Sequence, residues 1–561
     1  MRPEFRFFLA LTLMIGVFVL TEMLFPPIRP EAPPLEEGAV ESVEPPAAEV
    51  VTPPEPPGQT PVVEEPEQDQ EAAERLVTVE TPLYRMTFSS YGGVARSIQL
   101  LGYESFTREG PVELVPEGQQ ILGGIWVAGV GGDAFDLSRY AHTVTPAEGV
   151  RITEGDGPQT LTFRYDYPGG QFFSEIRYTF SPDSYIVVVE GDLPAIERAS
   201  LFVDLGPGLE INELREADDR RMMAFAGNHI DDGITSRPLA RVDEPESLDG
   251  PLRWAAVKSK YFVEVILPGR QSGGTDFLAG IRAEEGPVVG GPLRIRVGTP
   301  VSEAGGYAYR AYLGPIERER LIAIGDDLEE VNPYGWRVFR PIVRPFVGIV
   351  LWLVRFLHES LFLSYGWVLI VIGIGIRVVM WPLNRKMMLS QVKTMAVQPL
   401  AEEIKRKYGN DPQRMQQETL KLYKEHGVNP LAGCLPMMIP MPVLIALFFV
   451  FQNTIEMRGV PFMWLPDLSA PDPFYILPVF MGASLYLTQL LTMRISGSAG
   501  NPQMKMMLYM MPILLTVLFW RFPSGLNLYY ATMNLASIPQ QILIGRERKR
   551  MQAAGPLKRP V

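Results

Sequence analysis

Two hydropathy patterns divide the chain. In its C-terminal third, apolar stretches lie near residues 363 to 383, 431 to 454, 474 to 493, 505 to 521 and 525 to 545. Each is long enough to cross a ~30 Å hydrocarbon core as a helix of ~20 residues. Residues 7 to 25 form another such stretch, interrupted only by Thr12, Thr21 and Glu22 and preceded by Arg2 and Arg6. A signal peptide has the same basic start and apolar middle, but no A-x-A site follows, so an uncleaved anchor and a total of six spans are expected. Between about 75 and 332 the pattern switches to alternation: Leu161, Phe163, Tyr165 and Tyr167 share one face, with similar runs at 184 to 190 and 293 to 297. Gly92-Gly93, Pro168-Gly169-Gly170 and Pro182-Asp183 punctuate these runs as turns. The expected architecture is an α-helical membrane protein with six transmembrane helices and one large β-sandwich domain.

The segment from Trp336 to Glu359 is apolar but carries Arg337, Arg340, Arg344 and Arg355 at spacings that bring them close to one helical face. That pattern predicts an amphipathic helix lying in the membrane interface over 333–360. Charge parity agrees. Residues 384 to 430 hold nine Lys or Arg and the tail after Ile544 holds six, whereas the 456 to 472 loop holds one. Because Lys and Arg mark cytoplasmic loops, the N-terminus, the 384–430 segment and the tail are expected inside, with 75–332 outside. Seven spans would put the basic tail outside. The net charge of −13 comes from residues 31 to 74, which hold thirteen acids, ten prolines and no Lys or Arg. Residues 26–74 are therefore expected to be a disordered acidic linker, and the acidic balance says nothing of a basic partner.

Arg377 lies about eleven residues into a span that begins near Gly366, so it sits ~16 Å deep. A charge near mid-bilayer costs ~2.5 to 3.5 kcal/mol on insertion scales. A structural ion pair would relieve that cost, but the four later spans contain no Asp or Glu within their apolar stretches. Arg377 is therefore expected to face water or polar groups. In the last span Asn527, Tyr530, Asn534, Ser537 and Gln541 recur at spacings that align them in one stripe, and Gln452, Asn453, Thr488 and Gln489 can extend it. Interhelical hydrogen bonding accounts for any one of these residues, at ~0.6 kcal/mol each. In register beside a lone arginine, they point to a hydrated groove.

Other features leave alternatives open. Residues 385 to 408 and the stretch after Asp411-Pro412 form a predicted helical hairpin, with Asp as N-cap, Pro at N1 and Gly427 at C′. Its charges Glu402, Lys405, Arg406 and Glu418 suit either a solvated face or a docking site. Eighteen of the 25 methionines fall between Met380 and Met533. They serve equally as lipid-facing filler or as an adaptable apolar surface. The tail cations Arg546, Arg548, Lys549, Arg550, Lys558 and Arg559 can meet anionic headgroups or ribosomal RNA phosphates, or merely hold the topology. The single cysteine, Cys434, excludes a disulfide scaffold and reads as a packing residue, and four scattered histidines argue against a metal site. No Walker A and no membrane-protease motif is present.

Four runs carry a resemblance: Ile376-Arg377-Val378-Val379-Met380-Trp381-Pro382-Leu383, Val428-Asn429-Pro430-Leu431-Ala432-Gly433-Cys434-Leu435-Pro436, Asp472-Pro473-Phe474-Tyr475-Ile476-Leu477-Pro478, and Phe522-Pro523-Ser524-Gly525-Leu526-Asn527-Leu528-Tyr529-Tyr530. In order and spacing, over residues 336 to 550, they resemble the YidC membrane protein insertases, and the anchor and outer domain are similar to the Gram-negative form. The resemblance implies an inner-membrane protein with a periplasmic domain similar to sugar-binding β-sandwiches. It also implies a five-helix insertase core over 361–545 with a groove open to the cytoplasm and lipid. Arg377 matches the groove arginine that attracts acidic residues of an incoming segment, and Tyr530 a tyrosine that contacts the substrate helix. Some relatives carry threonine where this chain has Gly373, so no contact role transfers there. The implied partners are nascent membrane proteins, the Sec translocon, the lipid bilayer, and ribosome or signal-recognition machinery through the hairpin and basic tail; no DNA, cofactor or catalytic chemistry is expected. A transporter binding an anionic solute at Arg377, or a periplasmic carbohydrate binder or enzyme on a membrane anchor, are the competing readings.

Overall fold

The computed structural model describes residues 73–127, 134–166, 173–195, 198–242, 244–269, 275–285, 293–335, 340–385, 397, 400–401, 403–404, 406–409, 411–425, 441–496 and 502–553. They belong to two compact units, Met1–Gly314 and Pro315–Val561. The anchor at 7–25, nearly all of the linker, Tyr167, Arg337, Glu402, Lys405 and Cys434 lie outside the described residues.

In the first unit, alternation builds strands. Strand Gln159–Asp166 buries Leu161, Phe163 and Tyr165, and strand Phe173–Phe180 buries Ile176, Tyr178 and Phe180. They pair antiparallel with Leu161 opposite Tyr178 and Phe163 opposite Ile176, so one face of the pair is apolar. Both belong to a fourteen-stranded sheet. A five-stranded sheet runs in the order Pro111–Glu113, Ala95–Glu104, Tyr84–Ser89, Leu76–Glu80, Val150–Arg151. The two sheets meet through rings: Phe88 of the smaller lies 4.9 Å from Tyr178 and 5.9 Å from Phe163 of the larger. Such pairs add about 0.5–1.5 kcal/mol beyond their area. The Gly92-Gly93 turn has φ of +66° and +63°, and a Cβ on Gly92 would come within 2.4 Å of Ser138 Cα, so only glycine fits there. The Tyr178 hydroxyl donates to the Gly93 carbonyl at 3.0 Å, tying that turn to the large sheet. A short helix, α1 (Glu216–Met222), completes the unit.

Two largely buried arginines of this unit are paired with carboxylates, and one buried carboxylate among the described residues is not. Arg294 and Asp204, each 12% exposed, meet at 2.7 Å, and Arg296 reaches Glu284 at 2.7 Å. Glu264 is fully buried, and neither carboxylate oxygen has a partner among the described residues. Burial, with Glu113 and Asp204 nearby, pushes its pKa well above the ordinary carboxylate value.

The second unit is helical. After α2 (Arg318–Ile324) comes α3 (Arg340–Leu361), whose Val343, Val347, Val350, Val354 and Leu357 are buried at alternating spacings of four and three. Its arginines are held by acids. Arg340 meets Glu330 at 3.5 Å, Arg344 meets Glu329 at 3.1 Å, and Arg355 contacts Glu319, Glu359 and Glu456. Thus the sequence segment before α3 supplies partners to both ends of that helix. Further helices include α4 (Tyr365–Val379), α5 (Pro412–Glu425), α6 (Met441–Asn453), α7 (Ile476–Ser496), α8 (Pro502–Phe519) and α9 (Ser524–Ala553). Helix α9 packs against both α4 and α7, and α3 against α6 and α4. The basic stretch after Ile544, read as a tail, continues α9 as far as Ala553, because after Gly545 no Gly or Pro interrupts its helix formers before Gly555.

Candidate functional site

Arg377 stands two residues before the end of α4. The helix approaches α9 closely at Gly373, where a Cβ would lie 3.3 Å from Thr532 Cγ2 and 3.5 Å from a Tyr529 ring carbon. A small residue at such a crossing lets two backbones near each other. That approach puts Arg377 against α9. Its Nε donates to the Met533 carbonyl at 3.3 Å, and the Gln540 side chain donates to the Arg377 carbonyl at 2.9 Å. The guanidinium is half-buried, and among the described residues no carboxylate pairs with it.

The polar stripe of α9 turns toward α7 instead. Asn534 donates to Ser484 Oγ at 3.1 Å, Ser537 donates to the Asn534 carbonyl at 2.6 Å, and Gln541 donates to Ser537 Oγ at 3.4 Å. A cleft of about 120 Å³ is lined by Thr488, Gln489, Thr492 and Met493 of α7 and by Met507 and Leu508 of α8. Gln489 Oε1 and Gln541 Oε1 are buried acceptors with no hydrogen-bond partner among the described residues. In hydrocarbon each such acceptor costs about 1–3 kcal/mol, so a polar medium suits them. Tyr530, on the same stripe, is half-buried with its ring 4.9 Å from Phe519 and 5.8 Å from Tyr529.

Three residues expected in the lining are placed elsewhere. Asn527 is fully buried and its amide donates to the Phe519 carbonyl at 3.2 Å, closing the turn between α8 and α9. Gln452 and Asn453 end α6, and Asn453 donates to the Pro333 carbonyl at 3.3 Å. The residue after them, Thr454, shares a cavity with Tyr365 at the start of α4, twelve residues before Arg377. At 1.5 Å per residue that is about 18 Å from the arginine. Gln540 was not expected. Tyr529, Met533 and Gln540, spaced 4 and 7, mark a second face of α9, which the search for one polar stripe passed over.

In the hairpin region, the Asp411 carboxylate accepts from the Arg414 N–H at 3.0 Å, the N-cap that opens α5. Arg406 is exposed and Glu418 half-exposed.

Comparisons with known proteins cover both units. A family model described as YidC periplasmic domain matches residues 76–349, and one described as 60Kd inner membrane protein matches residues 356–552. The membrane protein insertase YidC of Oleidesulfovibrio alaskensis is 32% identical over 564 residues, covering 96% of this chain and 98% of that one. That of Syntrophus aciditrophicus is 30% identical over 488 residues, covering 84% of this chain and 85% of its own. A solved structure described as an active YidC insertase with the first transmembrane domain resolved is 19% identical, covers 84% of this chain and 93% of that one, and superposes with a TM-score of 0.33. The coverage by the two insertases spans the β-rich unit and the helical unit together, and on that ground the chain belongs to the YidC family of membrane protein insertases.

Proposed function

We propose that this protein inserts membrane proteins into the inner membrane of a Gram-negative bacterium and helps them fold, with nascent membrane proteins as its substrates. The observation that carries this reading is Arg377: a charge within a spanning helix, its guanidinium on the Met533 carbonyl and its backbone carbonyl on Gln540, with no carboxylate beside it among the described residues. A cation so placed in a hydrated groove attracts acidic groups of an entering segment and shortens the path over which they are desolvated. Asn534, Ser537, Gln541 and Gln489 supply the polar wall. Tyr530 and the methionines Met493 and Met507 meet the apolar helix on its way to lipid. Apolar burial drives the step, helped by the membrane potential for acidic tails, so no nucleotide is required.

The topology that goes with this function has six spans: the anchor at 7–25, then α4, the 431–454 stretch that ends in α6, α7, α8 and α9. The N- and C-termini and the hairpin are cytoplasmic, and 75–332 are periplasmic. Helix α3 lies in the outer interface. The pairing of both its ends with residues 319–330 supports that placement, since a spanning helix would carry one end away from that segment. The hairpin, including Arg406 and Glu418, and the basic end of α9 are surfaces for ribosome or signal-recognition machinery, and the Sec translocon is a lateral partner.

The test is insertion in reconstituted liposomes without nucleotide, using a single-span substrate with an acidic tail and protease protection as readout. Protection that requires the protein and falls with Arg377→Ala supports the reading. Protection equal to that of empty liposomes would overturn it.

A further inference from the structure

A second cavity of the helical unit is lined by residues other than those of the groove. It holds about 350 Å³ and is framed by α2, α3, the start of α4 and the 3-10 turn Ile455–Met457. That volume is in the range of small-ligand sites. Its wall carries both signs of charge. Arg318 and Arg355 face Glu319, Glu359 and Glu456, leaving one net negative charge. The three carboxylates all converge on Arg355, whereas Arg318 has no carboxylate partner among the described residues. Burial raises the pKa of Glu456, against the opposing pull of a backbone hydrogen bond and of Arg355. The Thr454 hydroxyl, 3% exposed, lines the cavity without a well-formed hydrogen bond, although the Tyr334 hydroxyl is close enough to interact with it.

The rim of the cavity is apolar. Trp352, part of its lining, is 64% exposed and stacks on Phe356 with ring centroids 5.5 Å apart. Ile349 and Phe356 are also exposed on α3, and Phe362 just beyond it is 91% exposed. Exposed aromatic and aliphatic side chains beside a charged pocket match the two halves of a phospholipid, and Trp at this position is typical of the interface.

The geometry points to a binding site for one zwitterionic phospholipid with a primary ammonium headgroup, phosphatidylethanolamine in chemical class. Arg318 takes the phosphate. Glu359 and Glu456 accept the ammonium N–H groups, the Thr454 hydroxyl fills the remaining polar contact, and the acyl chains run over Trp352 and Phe356. A net anionic headgroup such as phosphatidylglycerol brings a second negative charge to a pocket already negative. Phosphatidylcholine offers the carboxylates no N–H donor. This inference rests on the placement of α3 in the outer interface proposed above.

Native mass spectrometry of the full chain, released from nanodiscs holding equal fractions of the three lipids, tests it. The expected result is one retained phosphatidylethanolamine per chain, several-fold favoured over the other two. Arg318→Ala and the pair Glu359→Gln with Glu456→Gln should abolish that preference, and Arg318→Lys should keep it, with unchanged thermal unfolding showing that the variants are folded. Equal retention of the three lipids, or a preference that survives both sets of substitutions, would overturn the proposal. Soluble phosphoethanolamine binding as tightly as the intact lipid would also overturn it, by assigning the pocket to a free solute. A spin label on Ile349→Cys in a Cys434→Ser background separates the two hypotheses. Interfacial depth without lipid preference sinks the lipid site alone, whereas a label at the bilayer centre or in bulk water sinks the placement of α3.

Discussion

The two units treat buried arginines in opposite ways. In the β-rich unit Arg294 and Arg296 are matched by Asp204 and Glu284, and the more exposed Arg164 and Arg177 share Asp166, Glu175 and Asp192. In the helical unit the ion pairs gather along α3, and Arg377 has a carbonyl where the others have carboxylates. A buried pair neutralises both desolvation costs and serves the fold, but it leaves nothing for a third group. A half-buried cation set against a carbonyl keeps most of its field for a visitor.

This contrast breaks if the two kinds of arginine respond alike to substitution. The largest effect is expected for Arg294→Ala, which removes the 2.7 Å partner of the buried Asp204, leaves it Arg296 at 3.9 Å, and should cost about 3 kcal/mol in urea unfolding of the β-rich unit. Insertion per folded molecule should be unchanged. For Arg377→Ala the order reverses. Unfolding should barely shift, whereas insertion of acidic-tailed substrates should fall roughly fivefold, as expected for losing a charge contact worth about 1 kcal/mol in a hydrated site. Arg377→Lys should retain most activity, and a substrate with a neutral tail should be nearly insensitive to either change.

Glu264 sharpens the comparison from the acid side. Its folded pKa is raised, so the folded state keeps a proton that the unfolded state releases. Its contribution to stability is therefore complete below the unfolded carboxylate value and is lost as pH rises toward the folded one, by at most about 1.4 kcal/mol per pH unit. Unfolding midpoints measured across that range should show this slope, and Glu264→Gln should flatten it. The smallest effect belongs to Arg164→Ala. That arginine is half-exposed, and its loss should leave the unfolding midpoint nearly unchanged despite two carboxylate contacts.

Much of this was readable from local pattern. The alternation of Leu161, Phe163 and Tyr165 announced a strand with one buried face, and Asp411-Pro412 announced a helix start, because each depends on neighbours a few residues away. The isolation of Arg377 from acids was also legible, since the later spans contain none within their apolar stretches. The lining of the site was harder to read. Spacing showed that Asn527, Tyr530, Asn534, Ser537 and Gln541 share one face of α9, but spacing does not tell which helix that face meets.

The amino-acid order thus determined which segments are helices or strands, where a charge lies within a span, and which residues share a face, because these follow from chain periodicity and capping. Tertiary structure alone decided that α9 offers Gln540 to Arg377 and Asn534 to Ser484, and that Asn527 closes its own turn. It also brought Glu319, Glu359 and Glu456 onto Arg355. Most of these contacts join residues far apart in the chain, and they depend on the rotation of each helix about its axis. Packing volumes such as the gap at Gly373 set that rotation, and no repeat in the sequence encodes it.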